Sequence, residues 1–224
     1  MAQLAAVVFD FDGVILDSES AEFESHRLIY ERHGVALTPD DWCDQIGVWA
    51  EEDEQRWCTR LNELCGAAME YKAFKAEQHR LFRERLAPEP MRGIRELLDA
   101  LALAEVPTAV ASTSPARWVV SGVERLGLSD RFRTIVSGTD VQRRKPAPDV
   151  YLEAARRLGA DPRLSVAIED SGPGIASATA AGMKTVAIPH WLTERHDLRS
   201  ATLRLAHAGE LTIEVLERLA CGSF

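Results

Sequence analysis

The sequence has few cysteines, and they form no zinc or redox motif. The four cysteines make no CxxC pair and have no metal-ligand spacing. They are Cys43, Cys58, Cys65 and Cys221. We therefore expect reduced thiols, as in a cytoplasmic protein, and neither a structural disulfide nor a zinc centre.

Long apolar runs and an excess of positive charge are also missing. No segment approaches the roughly 20 apolar residues that cross a bilayer, and the first residues contain no basic region followed by a cleavage signal. The chain has 26 basic and 35 acidic residues, which gives a formal net charge of −9. Because nucleic acids and many membrane surfaces are anionic, we expect neither as a partner.

The remaining composition is that of a globular protein. The chain has 224 residues, of which 46% are hydrophobic and 27% charged. That length suits one large domain or a core with an insertion, and it is enough to bury a sizeable core. For such a core we expect a monomer.

Two aspartates follow the first apolar segment. Residues 4–9 are apolar without a helical period, which predicts a buried strand. Asp10 and Asp12 come directly after it, followed by Gly13. In an extended segment residues i and i+2 point to the same side, so both carboxylates can face one ligand. Like charges held close together need a compensating cation, so the pattern favours a cation-holding site over a surface turn.

The next part of the chain differs in character. Residues 16–88 are polar with a helical pattern, and "TPDDW" predicts a helix start with Thr38 as N-cap and Pro39 in the first position. "APEP" at 87–90 predicts a linker. We interpret residues 16–88 as an inserted helical cap.

After residue 90, helical segments alternate with apolar strands, which predicts a parallel sheet with helices on both faces. The strand at 4–9 has no partner in the helical stretch, so it should join this sheet. We therefore predict an α/β fold: a Rossmann-like core of residues 1–15 and 89–224, plus an all-α cap of residues 16–88. Residues 190–208 give no clear pattern before a last helix near 210–220.

Polar side chains follow several of these strands. Ser112, Thr113 and Ser114 follow one strand, Glu169 and Asp170 follow another, and Lys145 lies in a loop after a third. Parallel sheets bind ligands at the carboxyl ends of their strands. Asp10, Asp12 and Asp170 could supply the oxygen ligands that Mg²⁺ prefers. Lys145 could hold a phosphate, and Ser112 with the amides after it could bind phosphate oxygens.

Four motifs carry a family resemblance. "DFDGVILDS", the Ser112 strand end, "KPAPD" and "IEDSGPG" resemble, in order, the motifs of the haloacid dehalogenase superfamily. They are most similar to its branch of phosphatases and sugar-phosphate mutases with a small helical cap. The resemblance implies that Asp10 is a nucleophile that forms an aspartyl-phosphate. It implies that Asp12 is the general acid and base.

The resemblance also implies a metal and a phosphate site. Mg²⁺ would be held by the Asp10 side chain, the Asp12 carbonyl oxygen and Asp170. Glu169 would be a further ligand, directly or through water, or a structural cap. The groups that would bind the phosphoryl group are Gly13, Ser112, Thr113 and Lys145.

The cap bears on the choice of activity. β-Phosphoglucomutases have a histidine in the early cap helix and an arginine after a Gly-Val pair; those places hold Glu22 and Ala50 here. Lys75 lies near a cap lysine of the mutases, and Trp49 in a predicted loop is a candidate pocket residue. We therefore expect a Mg²⁺-dependent phosphatase of a small phosphorylated metabolite, such as a sugar phosphate, with a β-phosphoglucomutase-like mutase as the alternative.

Two further functions compete with these. The dehalogenases of the superfamily lack an aspartate two residues after the nucleophile, so Asp12 argues against that chemistry. A catalytically silent phosphate-binding module is disfavoured because none of the key residues is missing.

Overall fold

The computed structural model of the chain describes residues 4–47 and 55–222. Within those residues six strands form one fully parallel sheet in the order β3-β2-β1-β4-β5-β6. The strands are β1 (Ala6–Phe9), β2 (Thr108–Ala111), β3 (Thr134–Val136), β4 (Ser165–Glu169), β5 (Lys184–Ala187) and β6 (Leu203–Arg204). The first strand lies at the centre, between β2 and β4, as expected for a segment that joins the later sheet.

Nine α-helices accompany the sheet in the described parts of the chain. Four precede the second strand in the predicted cap: α1 (Ser18–Arg32), α2 (Pro39–Trp42), α3 (Arg56–Cys65) and α4 (Tyr71–Arg85). Five belong to the later part: α5 (Ile94–Leu103), α6 (Ala116–Arg125), α7 (Asp149–Leu158), α8 (Gly172–Ala180) and α9 (Ile213–Ala220).

The sheet is covered on both faces. Side chains of a strand alternate between faces, so Val7 and Phe9 pack into one cluster with α5, α6 and α9. Val8 faces the opposite way and packs into a second cluster with α7 and α8. The predicted Rossmann-like sheet with helices on both faces is therefore confirmed.

The helices α1–α4 bury a cluster of their own. Its largest members include Tyr30, Trp42 and Trp57, and the two indole rings stack with centroids 4.8 Å apart. Leu192, from the loop after β5, joins this cluster, so the two parts of the molecule are packed together. A separate core is consistent with an inserted cap, and the boundaries at residues 15–16 and 88–89 stay a prediction.

A local signal explains the start of α2. Thr38 accepts a hydrogen bond from the amide of Asp41, and the Asp41 carboxylate accepts one from the Thr38 amide, which makes a capping box. The segment before α4, in contrast, has a helical pattern in the sequence from Ala67 onwards, but the helix begins only at Tyr71. The side chain of Asn62 donates to the Met69 carbonyl and accepts from its amide, which holds that segment out of a helix.

The part that the sequence left unassigned contains a two-residue edge strand, β6. So short a strand has no recognisable period of its own, and its pairing with β5 defines it. No helix in the described residues is both long enough and apolar enough to cross a membrane.

Candidate active site

The candidate site lies at the carboxyl ends of the three central strands. Asp10 follows β1, Thr113 and Ser114 follow β2, and Glu169 is the last residue of β4. Since β1 pairs with both β2 and β4, these strand ends are neighbours at one edge of the sheet. That edge is where ligands bind in open parallel sheets.

A cavity of about 630 Å³ opens between this edge and helices α1, α4 and α6. Six of the residues predicted from the sequence line it: Asp10, Asp12, Lys75, Thr113, Lys145 and Asp170. In the described structure Gly13, Ser112 and Glu169 lie behind that lining rather than in it. The predicted groups therefore converge, but at different depths.

Lys145 is the central cation of the site. Its Nζ donates to Asp10 Oδ1 at 2.6 Å, to Glu169 Oε1 at 2.6 Å and to the Ala111 carbonyl at 3.0 Å. Burial opposes the charge on Lys145, but the two carboxylates outweigh it and raise its pKa above the ordinary value. Lys145 is therefore a permanent, buried ammonium group.

The carboxyl groups at this edge repel one another. Burial, followed by the charge of Glu169, raises the pKa of Asp10 from 3.8 to about 7, although Lys145 counteracts this. Burial and the charges of Glu169 and Asp10 also raise the pKa of Asp170 well above its usual value. One ammonium group does not balance the site, so a second cation would favour the ionised forms.

Glu169 is fully buried and fully engaged. Oε1 accepts from Lys145 at 2.6 Å and from the hydroxyl of Tyr151 at 2.7 Å. Oε2 accepts from the amides of Asp170 and Ser171 and from the Ser171 hydroxyl. The carboxylate also lies at the N-terminus of α8, where the helix dipole favours negative charge.

The donor set fits a divalent cation. Asp10, Glu169 and Asp170 each offer a carboxylate oxygen, and these oxygens lie within 4.8 Å of one another. Oxygen ligands of this kind suit Mg²⁺ or Ca²⁺. Gly13 makes room for them, because a Cβ at its φ of +79° would lie 2.5 Å from Asp170 Oδ2. The structure thus places Gly13 against the acidic cluster.

Asp12 is held by three side-chain donors. Oδ1 accepts from the Ser18 hydroxyl at 2.6 Å and from the Trp118 indole N–H at 2.9 Å. Oδ2 accepts from the Ser114 hydroxyl at 2.6 Å. The side chain lines the cavity, and donors from α1, from the loop after β2 and from α6 fix its orientation.

Ser112 and Thr113 have different surroundings. The hydroxyl oxygen of Ser112, a 1% exposed residue, accepts a hydrogen bond from the Ser114 amide at 3.0 Å. Thr113 and Ser114 reach the cavity. At this strand end the residues that line the cavity are therefore one and two positions beyond Ser112.

The cap side of the cavity mixes polar and aromatic groups. Glu22 lines it and accepts from the Gln78 amide at 3.0 Å. Burial lowers the pKa of His26 to about 4, so this cavity residue is neutral near pH 7. Lys75 lies over the ring of Tyr71, with Nζ 5.5 Å from the ring centroid. Trp49, predicted as a pocket residue, and Ala50 lie outside the described residues.

The sequence did not predict which side chains hold Asp12 and Glu169 in place. Ser18, Ser114, Trp118 and Tyr151 contact Asp12 or Glu169 from other elements. Ser114 was expected at this edge because it follows the same strand as Ser112 and Thr113, but its hydrogen bond to Asp12 was not predicted. Trp118 and Tyr151 lie inside helical patterns that indicate packing and nothing more.

Comparison with known proteins gives a consistent result. The model of the family described as "Haloacid dehalogenase-like hydrolase" matches residues 7–188. The Bacillus subtilis protein named "Putative phosphatase YhcW" is 33% identical over 95% of this chain and 96% of its own length. The "Phosphorylated carbohydrates phosphatase" of Thermotoga maritima is 32% identical over 82% of this chain and 84% of its own length.

A solved structure can be superposed on nearly the whole chain. The crystal structure described as a "putative beta-phosphoglucomutase" from Thermotoga maritima has a TM-score of 0.73 and 28% identity, and 97% of each chain is covered. The overall fold is thus shared with that protein.

Proposed function

We propose that this chain, which belongs to the haloacid dehalogenase-like hydrolase family, is a Mg²⁺-dependent phosphatase of a small phosphorylated metabolite. The substrate class we favour is a sugar phosphate or a related monophosphate. We further propose that the reaction passes through an aspartyl-phosphate and that the enzyme is a cytoplasmic monomer with a core and an inserted cap.

One observation carries the proposal. The carboxylate of Asp10 lies at the end of the central strand, 2.6 Å from the buried ammonium group of Lys145, and lines a cavity. A carboxylate held in this way is a fixed oxygen nucleophile whose charge is partly offset. A surface turn would instead leave both groups in water.

In this proposal Asp10, Asp170 and the Asp12 carbonyl oxygen hold Mg²⁺. When bound, the ion offsets the repulsion between the carboxylates and the phosphoryl group. Glu169 contributes its charge and the position of Lys145 rather than a direct bond, because its two oxygens already accept five hydrogen bonds. Gly13 leaves the space that the Asp170 carboxylate occupies.

The chemistry follows from the two aspartates. An Asp10 oxygen attacks phosphorus, and the ester oxygen leaves with a proton from Asp12. Asp12 then takes a proton from a water molecule, whose oxygen attacks phosphorus and releases inorganic phosphate with the free Asp10 carboxylate. Lys145, the Ser112 and Thr113 strand end and its amides would steady the phosphoryl oxygens.

The cavity indicates more than a bare phosphate as ligand. About 630 Å³ is far larger than one phosphoryl group, and polar cap groups such as Glu22, Gln78 and Lys75 lie on its wall. Carboxylate, amide and ammonium groups together suit the hydroxyl groups of a sugar. Trp49 remains a proposed pocket residue.

A mutase is the second candidate, because a structure described as a "putative beta-phosphoglucomutase" aligns along 97% of the chain. Glu22 argues against it. A mutase must hold a second phosphate while it turns the sugar over, and a carboxylate on the cavity wall would repel that group.

The test is phosphate release from a panel of sugar, glycerol, glycolate and nucleotide phosphates, with Mg²⁺ or with EDTA. We expect release only with Mg²⁺, and a loss of at least about a thousandfold in Asp10→Asn, which keeps the shape but removes the nucleophile. Asp130→Asn, at an exposed surface carboxylate, is the matched control. Faster interconversion of phosphosugar isomers than phosphate release would establish the mutase instead.

A further inference from the structure

Trp118 connects the general acid and base to the cap. It lies in the first turn of α6, and its Nε1–H donates to Asp12 Oδ1 at 2.9 Å. The indole stands edge-on to Phe11, with ring centroids 6.3 Å apart and an interplanar angle of 82°. Trp118 is half-buried and lines the same cavity as Asp12.

The three donors to Asp12 are not equivalent. The hydroxyl groups of Ser18 and Ser114 can rotate, and each can donate or accept. An indole N–H can only donate, and its direction is set by a rigid ring. Trp118 is therefore the donor that fixes the plane and direction of the carboxylate.

The indole also touches the cap. Phe82, on α4, faces the Trp118 ring with centroids 5.5 Å apart and an interplanar angle of 59°. Phe11 belongs to the core and Phe82 to the helices predicted as the cap. The ring that holds Asp12 thus contacts one aromatic residue from each part of the molecule.

We propose that Trp118 is a positioning residue, which orients the Asp12 carboxylate for proton transfer and, through Phe82, couples that orientation to the placement of the cap. This inference rests on the proposed function, in which Asp12 protonates the leaving oxygen. Trp118 itself transfers no proton and contacts Asp12 rather than the phosphoryl group.

The leaving group distinguishes positioning from mere packing. A sugar or glycerol oxygen is a poor leaving group and needs the proton from Asp12 in the transition state. A p-nitrophenolate leaves without it. Asp12 also activates water in the later hydrolysis of the aspartyl-phosphate, which is the same for both substrates, so the two must be compared at the step that releases the leaving group. In single-turnover measurements of that step, a misdirected Asp12 should slow the alkyl phosphates selectively, whereas a damaged fold should slow both substrates alike.

The experiment uses Trp118→Phe. This variant keeps an aromatic ring beside Phe11 and Phe82 but removes the N–H that donates to Asp12. In single-turnover measurements we expect the rate of alcohol release from the best alkyl phosphate to fall at least about tenfold and the rate of p-nitrophenolate release to fall less than about threefold. The substrate concentration that gives half of the maximal rate should stay within about twofold. Phe82→Leu keeps the Trp118 N–H but weakens the contact between the Trp118 ring and α4. It should therefore slow alcohol release from the alkyl phosphate selectively, but by less than Trp118→Phe does.

Two further variants serve as controls. Trp191→Phe also removes an indole donor, here one to the Ser20 hydroxyl at 2.8 Å, and should leave both substrates unaffected. Trp118→Phe placed on Asp12→Asn should cause no further loss, because both changes affect one interaction. Equal losses in the single-turnover release of the two leaving groups, or additive losses in the double variant, would overturn the proposal.

A readout without turnover keeps this inference separate from the proposed function. In protein labelled with ¹⁵N in its indole groups, the Trp118 N–H signal is assigned by its disappearance in Trp118→Phe. We expect that signal to move in Asp12→Ala, with the Trp191 signal unmoved. If the wild type releases no phosphate, the proposed function fails while this measurement still decides the contact. An unmoved Trp118 signal would refute the hydrogen bond between Trp118 and Asp12, and with it this inference.

Discussion

The Nζ atom of Lys145 lies 2.6 Å from Oδ1 of Asp10, in a contact closed off from solvent. The same ammonium group lies 2.6 Å from Glu169 Oε1. One cation thus ties the nucleophile candidate at the end of β1 to the carboxylate at the end of β4. Removing it leaves two buried carboxylates without their common partner.

Lys145→Met should therefore affect both stability and activity. Methionine keeps much of the side-chain length, but the carboxylates lose their counter-charge, which in buried pairs costs about 3–5 kcal/mol of unfolding free energy. We expect that loss in urea unfolding, and at least about a hundredfold slower phosphate release in the folded fraction. Lys72→Met, at an exposed lysine of α4, should change neither quantity. Wild-type activity in Lys145→Met would contradict this account of the site.

Gly13→Ala tests the space beside Asp170. Gly13 and Gly34 have similar left-handed conformations, with φ of +79° and +72°. The backbone strain of an alanine should therefore lower the free energy of unfolding by about 1 kcal/mol at either position. Only at Gly13 would the new Cβ meet a carboxylate, whereas at Gly34 it meets nothing within 4 Å. We expect Gly13→Ala to weaken Mg²⁺ binding by at least about tenfold in titration calorimetry, and Gly34→Ala to leave it unchanged. Equal Mg²⁺ affinities in the two variants would refute the crowding argument.

The raised pKa of Asp10 predicts a pH-dependent stability in the absence of metal. The unfolded chain ionises this carboxyl near pH 3.8, but the folded chain keeps its proton up to about pH 7. Between those values the folded state binds more protons, so its contribution to stability falls as the pH rises. In EDTA, Asp10→Asn should flatten the decline in unfolding free energy between about pH 4 and pH 7.

Mg²⁺ supplies the control for that prediction. Because the ion favours the ionised carboxylates, it should stabilise the wild type more at about pH 8 than at about pH 5, and Asp10→Asn less at both. Asp130→Asn, at a surface carboxylate, should reproduce the wild-type slope. A wild-type slope in Asp10→Asn would contradict the assigned cause.

His26 should produce the opposite slope. Burial lowers its pKa from 6.5 to about 4, and its Nδ1 lies 2.9 Å from the Glu22 carbonyl oxygen, to which it donates. Between those pH values the unfolded state binds the extra proton, so stability is lost as the pH falls from 6.5 towards 4. His26→Phe keeps an aromatic ring beside Trp42 and should reduce this loss in unfolding measurements. His33→Phe, at the end of α1, should behave as the wild type.

Much of the fold could be predicted from the sequence because its signals are local. The apolar run before Asp10 became β1, and Thr38 with Pro39 began α2 as expected. Alternating strands and helices admitted few arrangements, and the parallel sheet is one of them. The two-residue strand β6 carried no such signal, since a neighbour rather than its own pattern defines it.

Part of the site could be predicted for a related reason. Residues at strand ends meet at one edge whenever the strands are parallel, so Asp10, Lys145 and Asp170 could be placed together before the side chains were known. How deeply each side chain lies behind the cavity wall could not be predicted in this way. Ser112 faces the Ser114 amide, and Glu169 faces away from the cavity lining towards Tyr151.

By itself the sequence determined which chemical groups reach the sheet edge, because residue type, strand pattern and spacing are local properties of the chain. Only the tertiary structure decided which other side chains form hydrogen bonds or ion pairs with those groups. Trp118 lies 106 positions from Asp12, and Lys145 lies 135 positions from Asp10. Whether such pairs meet depends on how helices are rotated and packed against the sheet. Hydrogen bonds demand both distance and direction, and both are set only when the whole core closes.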